Sequence, residues 1–440
     1  GTTYTTFVNN RRNGSQQPVV YVGANDGFLH AFSGANGQEL FGFMPNGALG
    51  TIGRLLNPKY QHQYFVDGPI SVSDAQLGGS WGTALVGSTG AGSRSLFALN
   101  VSSPGSVGAG QVMWELSGTS NPDLGNVLGK ALIVPVNGGN GPQWVVLVGN
   151  GYNSTYGKPA LLVLDLATGQ TLATLRPQVT GTDANGLGNI VAIADANGYA
   201  TTVYGGDLAG NVWKFNLAGS TASGWNVALG GNPLFQARDA NNVPQPISGG
   251  FDVARGPNNG LYVFFGTGRY FAVGDNQVSS ATQVQSLYGI LDTGTAVSGR
   301  GALAARRILS ESTTSPKTRA LEQGTVNYIT QRGWYVDLQV QNGAVKGERF
   351  IGFPRVEGGQ VYFAAFEPIG DACTPGGVNW LYGLDALTGS AALSNLRIPG
   401  SSNGTSDPLC TTNCGGVETG AGAPANDTVV LVPQPPCVPG

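Results

Sequence analysis

Charge is what this 440-residue chain has least of. Asp, Glu, Lys and Arg make up 11% of it, less than half the ~25% of an average soluble domain. The net charge is −3 and the basic residues stand singly. The missing basic stripe argues against nucleic acid as a partner. Histidine occurs only twice, at His30 and His62. No HExxH or CxxC motif occurs, and no GxSxG elbow accompanies a histidine, so zinc hydrolysis, dithiol redox chemistry and Ser-His hydrolysis all lack their residues. Long apolar runs are missing too. The best candidates, residues 144–148 and 131–134, are strand-sized, which leaves no membrane-spanning helix. A coiled coil is excluded by composition, and disorder by a hydrophobic content of 41%.

Cysteine is sparse but unevenly placed. Of the four, Cys410, Cys414 and Cys437 lie beyond residue 400, and Cys373 precedes them. An even count with low charge fits an exported protein, while buried free thiols are the alternative in a chain too large to need bridges. The four are disulfide candidates with three possible connectivities, among which the sequence does not choose. Cys410 and Cys414 form a CxxxC without a second Cys or His pair, so zinc is not expected. Without a starting methionine or leader, the chain reads as a processed chain or fragment.

What the chain has in abundance is glycine: 71 residues, about one in six against a usual ~7%. The glycines punctuate a repeat. VVYVGANDGFLHAFSGANGQELF occupies residues 19–41, TALVGSTGAGSRSLFALNVSSP 83–104, WVVLVGNGYNSTYGKPALLVLDLATGQTL 144–172 and TVYGGDLAGNVWKFNLAG 202–219. LYVFFGTGRYF resumes as SLYGILDTG, and VYFAAFEP resumes as NWLYGLDALTG. In each unit an apolar strand ends in glycine, a Gly/Asn/Asp turn follows, a second strand ends in Ala-Phe, Leu-Asp or Phe-Asn, and an Ala-Thr-Gly-like turn closes it. Alternating β-branched and aromatic residues suit a pleated sheet face, and Gly or Asn-Gly supplies the positive φ of tight hairpins.

Gly23, Gly87, Gly149, Gly205 and Gly266 recur roughly every sixty residues, the length of a four-stranded sheet with its loops. Sheets that repeat in this way stack radially, so the expected fold is an all-β propeller spanning residues 1–440 as a single domain. Spacing allows six or seven blades, with an extra blade around GWYVDL at residues 333–338. Residues 302–312, ALAARRILSES, are expected to form a short helix. Residues 232–259 and 293–324 are expected as loops or insertions, and residues 400–426 as an irregular loop. An apolar strand at residues 428–432 is expected to close the ring. A face-packed β-sandwich is the structural alternative.

The first repeat looks like the blade motif of quinoprotein propellers. The remaining landmarks are narrower: YFVDG, VGSTGAGSRSLFALNV, DLGNVLGKALIV, VGNGYNST, VYGGDLAGNVWKFNL, FFGTGRYF, SLYGILD, GWYVDL, and Cys373 followed by PGGVNWLYGLDALTG. In this order they resemble the C-terminal domain of the PilY family, type IV pilus biogenesis factors and candidate tip adhesins, across nearly nine-tenths of the chain. The resemblance implies a modified seven-bladed propeller. It also implies export through the periplasm and outer membrane to the cell surface or pilus tip, with minor pilins as partners and host or abiotic surfaces as further ligands. The implied role is pilus assembly, retraction control, twitching motility and attachment, without catalysis. Members usually carry a variable region before this domain, which this sequence lacks.

The resemblance further implies a calcium loop just before the YGGD strand. The matching positions are Ile193, Asp195, Asn197 and Thr201. Asp195 and Asn197 offer strong oxygen ligands and Thr201 a hydroxyl or carbonyl, but Ile193 has no ligating side chain, so this is a degenerate calcium loop. A plain turn with Asp195 accepting local N–H groups is the expected reading, and no cofactor is expected. Asn25-Asp26, residues 150–155 and Asp275-Asn276 are likewise read as turns, and His30 and His62 as structural. Two rival functions remain: a quinone-cofactor dehydrogenase, which would need a carboxylate-rich calcium site and typically adjacent cysteines, and an outer-membrane propeller scaffold unrelated to pili.

Overall fold

The computed structural model describes residues 3–14, 18–179, 185–369, 376–394 and 412–425. The chain falls into two compact units, Gly1–Leu234 and Phe235–Gly440.

The first unit opens with helix α1 (Tyr4–Asn13), capped by the Thr3 hydroxyl accepting the Thr6 N–H. Its sheets then follow in chain order, each antiparallel between neighbours. They are β1 (Val19–Gly23), β2 (Leu29–Ser33) and β3 (Glu39–Phe43), then, after the short helix α2 (Asn46–Leu49), β4 (Ile70–Leu77), β5 (Ser80–Ser88), β6 (Ser95–Asn100) and β7 (Val112–Ser117). Next come β8 (Leu132–Asn137), β9 (Pro142–Gly149), β10 (Leu161–Asp165) and β11 (Thr171–Leu175), and last β12 (Leu187–Ala194), β13 (Ala200–Asp207), β14 (Asn211–Asn216) and β15 (Asn226–Val227). Neighbouring sheets in sequence bury shared apolar clusters, one around Val86, Ala98, Val146 and Leu164, another around Leu147, Val163, Val203 and Phe215.

Turn chemistry sets the registers. Leu77 pairs with Ser80 across Gly78 and Gly79, whose φ values of 61° and 85° are those of a two-residue primed turn. Two of the recurring glycines, Gly23 and Gly149, have a different cause. A Cβ on Gly149 would sit 2.2 Å from the Gly188 carbonyl oxygen, and one on Gly23 2.4 Å from that of Val66. Backbone from a neighbouring segment presses on these strand ends, so only glycine fits.

The Ala-Thr-Gly turns are docking platforms. In residues 165–170 the Asp165 carboxylate accepts the Ala167 and Thr168 N–H groups and the Thr168 hydroxyl. Asp385 repeats this set with Leu387 and Thr388. On each of these two turns lies a tryptophan from an earlier strand. Trp114 of β7 donates its Nε1–H to the Leu166 carbonyl at 2.8 Å, and Trp334 donates to that of Ala386 at 3.0 Å.

The second unit contains β16 (Phe235–Gln236), β17 (Asp252–Arg255), β18 (Leu261–Gly266), β19 (Ser286–Asp292), β20 (Ala304–Glu311), β21 (Thr318–Leu321) and β22 (Gly333–Val340). It continues with β23 (Arg349–Phe350), β24 (Arg355–Glu357), β25 (Gln360–Ile369), β26 (Gly376–Asp385) and β27 (Cys414–Gly422). Its main sheet runs β17-β18-β19-β22-β20-β21-β27-β26-β25-β23, with β24 also pairing β25. The link between its two halves is made by β20, parallel to β22, and β21, antiparallel to β27.

Four expectations are corrected here. GWYVDL is not an extra blade: it lies in β22, the fourth strand beside β19, with Tyr288 opposite Tyr335. Residues 302–312 are not a helix. From Ala304 to Leu309, buried and exposed residues alternate strictly, and pairing on both edges outweighs the helix propensity of Ala, Leu and Arg. Residues 232–259 and 293–324 are not simply loops, since they hold β16, β17, β20 and β21, with Leu234, Phe235, Ala237, Gln245 and Ile247 buried. Residues 414–422 of the expected irregular loop form β27, because β26 and β21 offer pairing edges on both sides. Residues 428–432 lie outside the described residues.

Candidate functional site

Among the described residues of this charge-poor chain, a dense grouping of charge sits in the second unit, at the seam where β21 meets β27. Arg319, in β21, is 1% exposed. Its Nη1 donates to Glu348, itself 1% exposed, and to the Tyr382 hydroxyl, which donates to Glu348 Oε1 at 2.8 Å. Its Nε and Nη2 donate to Glu311 Oε2 at 3.0 and 2.9 Å. The guanidinium carbon lies 3.6 Å from the Trp380 ring centroid, a close cation–π contact. Lys346 Nζ donates to both Glu311 oxygens at 3.1 and 3.2 Å and lies 3.6 Å from Glu367. Lys317 completes the set, 3.8 Å from Glu311.

Burial tends to raise the Glu311 carboxyl, but the Lys346 and Arg319 hydrogen bonds and charges outweigh it and hold it below its usual value. Glu367 goes the other way: burial, reinforced by nearby Glu348, outweighs Lys346 and Arg319 and pushes it up. Burial also drives the Tyr382 phenol well above its ordinary range, keeping it a neutral donor. A small cleft of about 200 Å³ opens beside the cluster, lined by Glu311, Lys346, Glu348, Leu338 and Val340. Each carboxylate faces a cation, which suits cross-linking of β20, β21, β25 and β26 rather than proton transfer. Sequence reasoning missed this cluster because its members are scattered. The available signal was an arginine inside the apolar strand TRAL.

The loop expected to hold calcium joins β12 to β13. Asp195 Oδ1 accepts the Asn197 and Tyr199 N–H groups at 2.8 and 3.0 Å, and the Thr201 hydroxyl donates to the Ile193 carbonyl at 3.4 Å. Among the described residues no group of three His, Cys, Asp or Glu side chains is arranged to hold a metal. The other oxygen-rich turns carry structural bonds. Asn150 is fully buried, and its amide makes four hydrogen bonds, to Asp123, Lys158, Ala160 and Leu187. Asp275 receives Arg269 and the N–H groups of Phe271 and Ala272.

His30 lies at the rim of the first sheet, its Nδ1 2.7 Å from Glu39 and its Nε2 2.9 Å from Asp26. The Glu39 hydrogen bond leads in raising its pKa, aided by Asp26 and opposed by burial. His62 stacks edge-on against Tyr64, centroids 5.0 Å apart. Cys414 is buried in β27 with its sulfur 3.9 Å from the Gly416 carbonyl oxygen. Cys373, Cys410 and Cys437 lie outside the described residues, so the bridge candidates are not resolved into pairs.

Successive antiparallel sheets, two of whose closing turns are docked by tryptophan, are what the family comparison then explains. Residues 1–313 match the sequence model of the PilY1 beta-propeller domain. The chain belongs to the PilY1 β-propeller family. It is 43% identical, over 99% of its length, to a type IV pilus biogenesis factor PilY1 homolog of Xylella fastidiosa, and 36% identical, over 88%, to PilY1 of Pseudomonas aeruginosa. It spans about a third of these relatives, 31% and 36% of their lengths. The crystal structure of the Pseudomonas aeruginosa PilY1 C-terminal domain matches with a TM-score of 0.80 at 32% identity, covering 95% of this chain and 89% of that one. The fold is a β-propeller.

The PilY resemblance implies a calcium loop at residues 193–201. Ile193 offers hydrocarbon, one Asp195 oxygen already serves two N–H groups, and Asp195 is the single carboxylate of the set. Ca²⁺ takes six to eight oxygens, and this donor set does not fit it.

Proposed function

We propose that this chain is the propeller portion of a type IV pilus biogenesis factor that acts by binding rather than catalysis. It docks on minor pilins at the pilus tip, on the cell surface, and supports assembly, retraction control, twitching and attachment. The observation that carries this reading is family membership, with a like-folded relative at a TM-score of 0.80 drawn from a PilY1 protein. Exposed apolar side chains support docking: Leu49, Leu55, Leu56, Tyr60 and Tyr64 follow one another along a single segment of the first unit, with Leu56 86% exposed. Low charge supports contacts that depend weakly on salt. Deleting the gene in its native bacterium and scoring surface pili and twitching tests the reading. Loss of both, restored by the intact gene, is expected; normal piliation and twitching in the deletion strain would overturn it.

A further inference from the structure

A pocket of about 410 Å³ lies at one end of the β4–β7 sheet, wholly within the first unit. Its walls come from the start of α2 (Asn46, Gly47), the start of β6 (Ser93, Arg94, Ser95) and the end of β7 (Glu115) with the turn that follows (Ser117, Thr119, Ser120). The lining is hydroxyl-rich, and nothing derived above employs it.

Three observations show a built site. Ser95 is 3% exposed, and its hydroxyl, which keeps contact with solvent, takes part in no hydrogen bond among the described residues. Arg94 reaches only the Thr155 hydroxyl at 3.1 Å and, weakly, the Asn153 carbonyl at 3.4 Å; among the described residues it has no acidic partner. A guanidinium has five donors, so most of its capacity is unspent. Glu115 is held in place by the Asn46 backbone N–H at 2.7 Å and the Asn46 side-chain amide at 2.9 Å. The walls also close in on glycine. A Cβ on Gly47 would lie 2.5 Å from the Ser93 hydroxyl and 3.0 Å from that of Ser95, and one on Gly118 2.9 Å from the Arg94 stem.

The chemistry of this lining selects its ligand. A planar guanidinium with free donors suits a carboxylate, bidentately. The lining carries one acid, Glu115, and one base, Arg94, and is neutral overall, which disfavours a dianion. Serine and threonine hydroxyls both donate and accept, the complement of a ligand whose own hydroxyls do the same. We infer that this pocket binds an acidic monosaccharide of the hexuronate type, its carboxylate on Arg94 and its hydroxyls on Ser95, Glu115 and the residues 117–120 turn. This would give the attachment part of the pilus reading a chemical target, but it stands on the pocket alone and is tested on purified protein.

The test is titration of the purified chain with glucuronate, glucose, acetate and inorganic phosphate, followed by calorimetry or ligand-observed NMR. Glucuronate is expected to bind about tenfold or more tighter than glucose or acetate, because only it engages both the guanidinium and the hydroxyls. Arg94→Gln is expected to erase the preference over glucose. Thr119→Trp, at an exposed position lining the pocket, is expected to block all binding with an unchanged melting temperature. Absence of glucuronate binding, equal binding of acetate or phosphate, or full binding by Arg94→Gln would each overturn the inference. Because none of these readouts involves pili, failure here is distinguishable from failure of the piliation test.

Discussion

At the scale of single residues, the chain concentrates its few charges where they brace the sheet. Arg319 and Glu348 are both 1% exposed, so removing one strands the other in a poorly solvating interior. Arg319→Met is therefore expected to destabilise the second unit by about 3–5 kcal/mol, and adding Glu348→Gln to that variant should recover part of the loss. Urea unfolding of the two single variants and the double variant measures the coupling; strictly additive costs would refute it. His30 behaves differently because it is an imidazole held between two carboxylates. Its pKa is raised above 6.5, chiefly by Glu39, so its contribution is fully present below the unfolded value and fades as pH rises through the folded one. The melting temperature is expected to fall as pH rises above about 6.5, and His30→Gln should flatten that slope. An identical slope in the variant would assign the dependence elsewhere.

At the scale of elements, the repeated turn is the unit that joins one sheet to the next. Residues 33–38 and 165–170 make the same backbone bonds, with Gly37 and Gly169 at φ of 73° and 71°. They differ in what lies above them. A Cβ on Gly37 meets nothing within 4 Å, whereas one on Gly169 would lie 2.6 Å from the Trp114 ring. Gly37→Ala is therefore expected to cost only the strain of a left-handed alanine, about 1 kcal/mol, and Gly169→Ala distinctly more. Equal losses in thermal or urea unfolding would show that the tryptophan gives way freely. The Ala-Thr-Gly turn was readable as a recurring signature. Its tryptophan partner was not, because Trp114 lies about fifty residues before Leu166 and nothing local marks the pair.

At the scale of the whole molecule, a degenerate loop predicts a propeller indifferent to calcium. Millimolar Ca²⁺ is expected to leave the melting temperature unchanged, since a ligand that does not bind the folded state cannot stabilise it. A rise of several degrees that disappears in Asp195→Ala would reverse that conclusion. The sequence alone was enough for the strand-and-turn grammar and the propeller class, because hairpin turns, glycine punctuation and alternating apolar residues are local signals that survive in one dimension; the family resemblance rested instead on the order of the longer motifs. Asp195 as a turn residue belongs with them, since it bonds to its own neighbours. Only tertiary structure decided that ALAARRIL is a strand, that GWYVDL completes an existing sheet, and that β27 emerges from an apparent loop. It alone brought Glu311, Arg319, Lys346, Glu348 and Glu367 together, and opened a pocket lined by Arg94 and Glu115. In each case the deciding energy is edge pairing or burial against residues distant in sequence, which no local periodicity records.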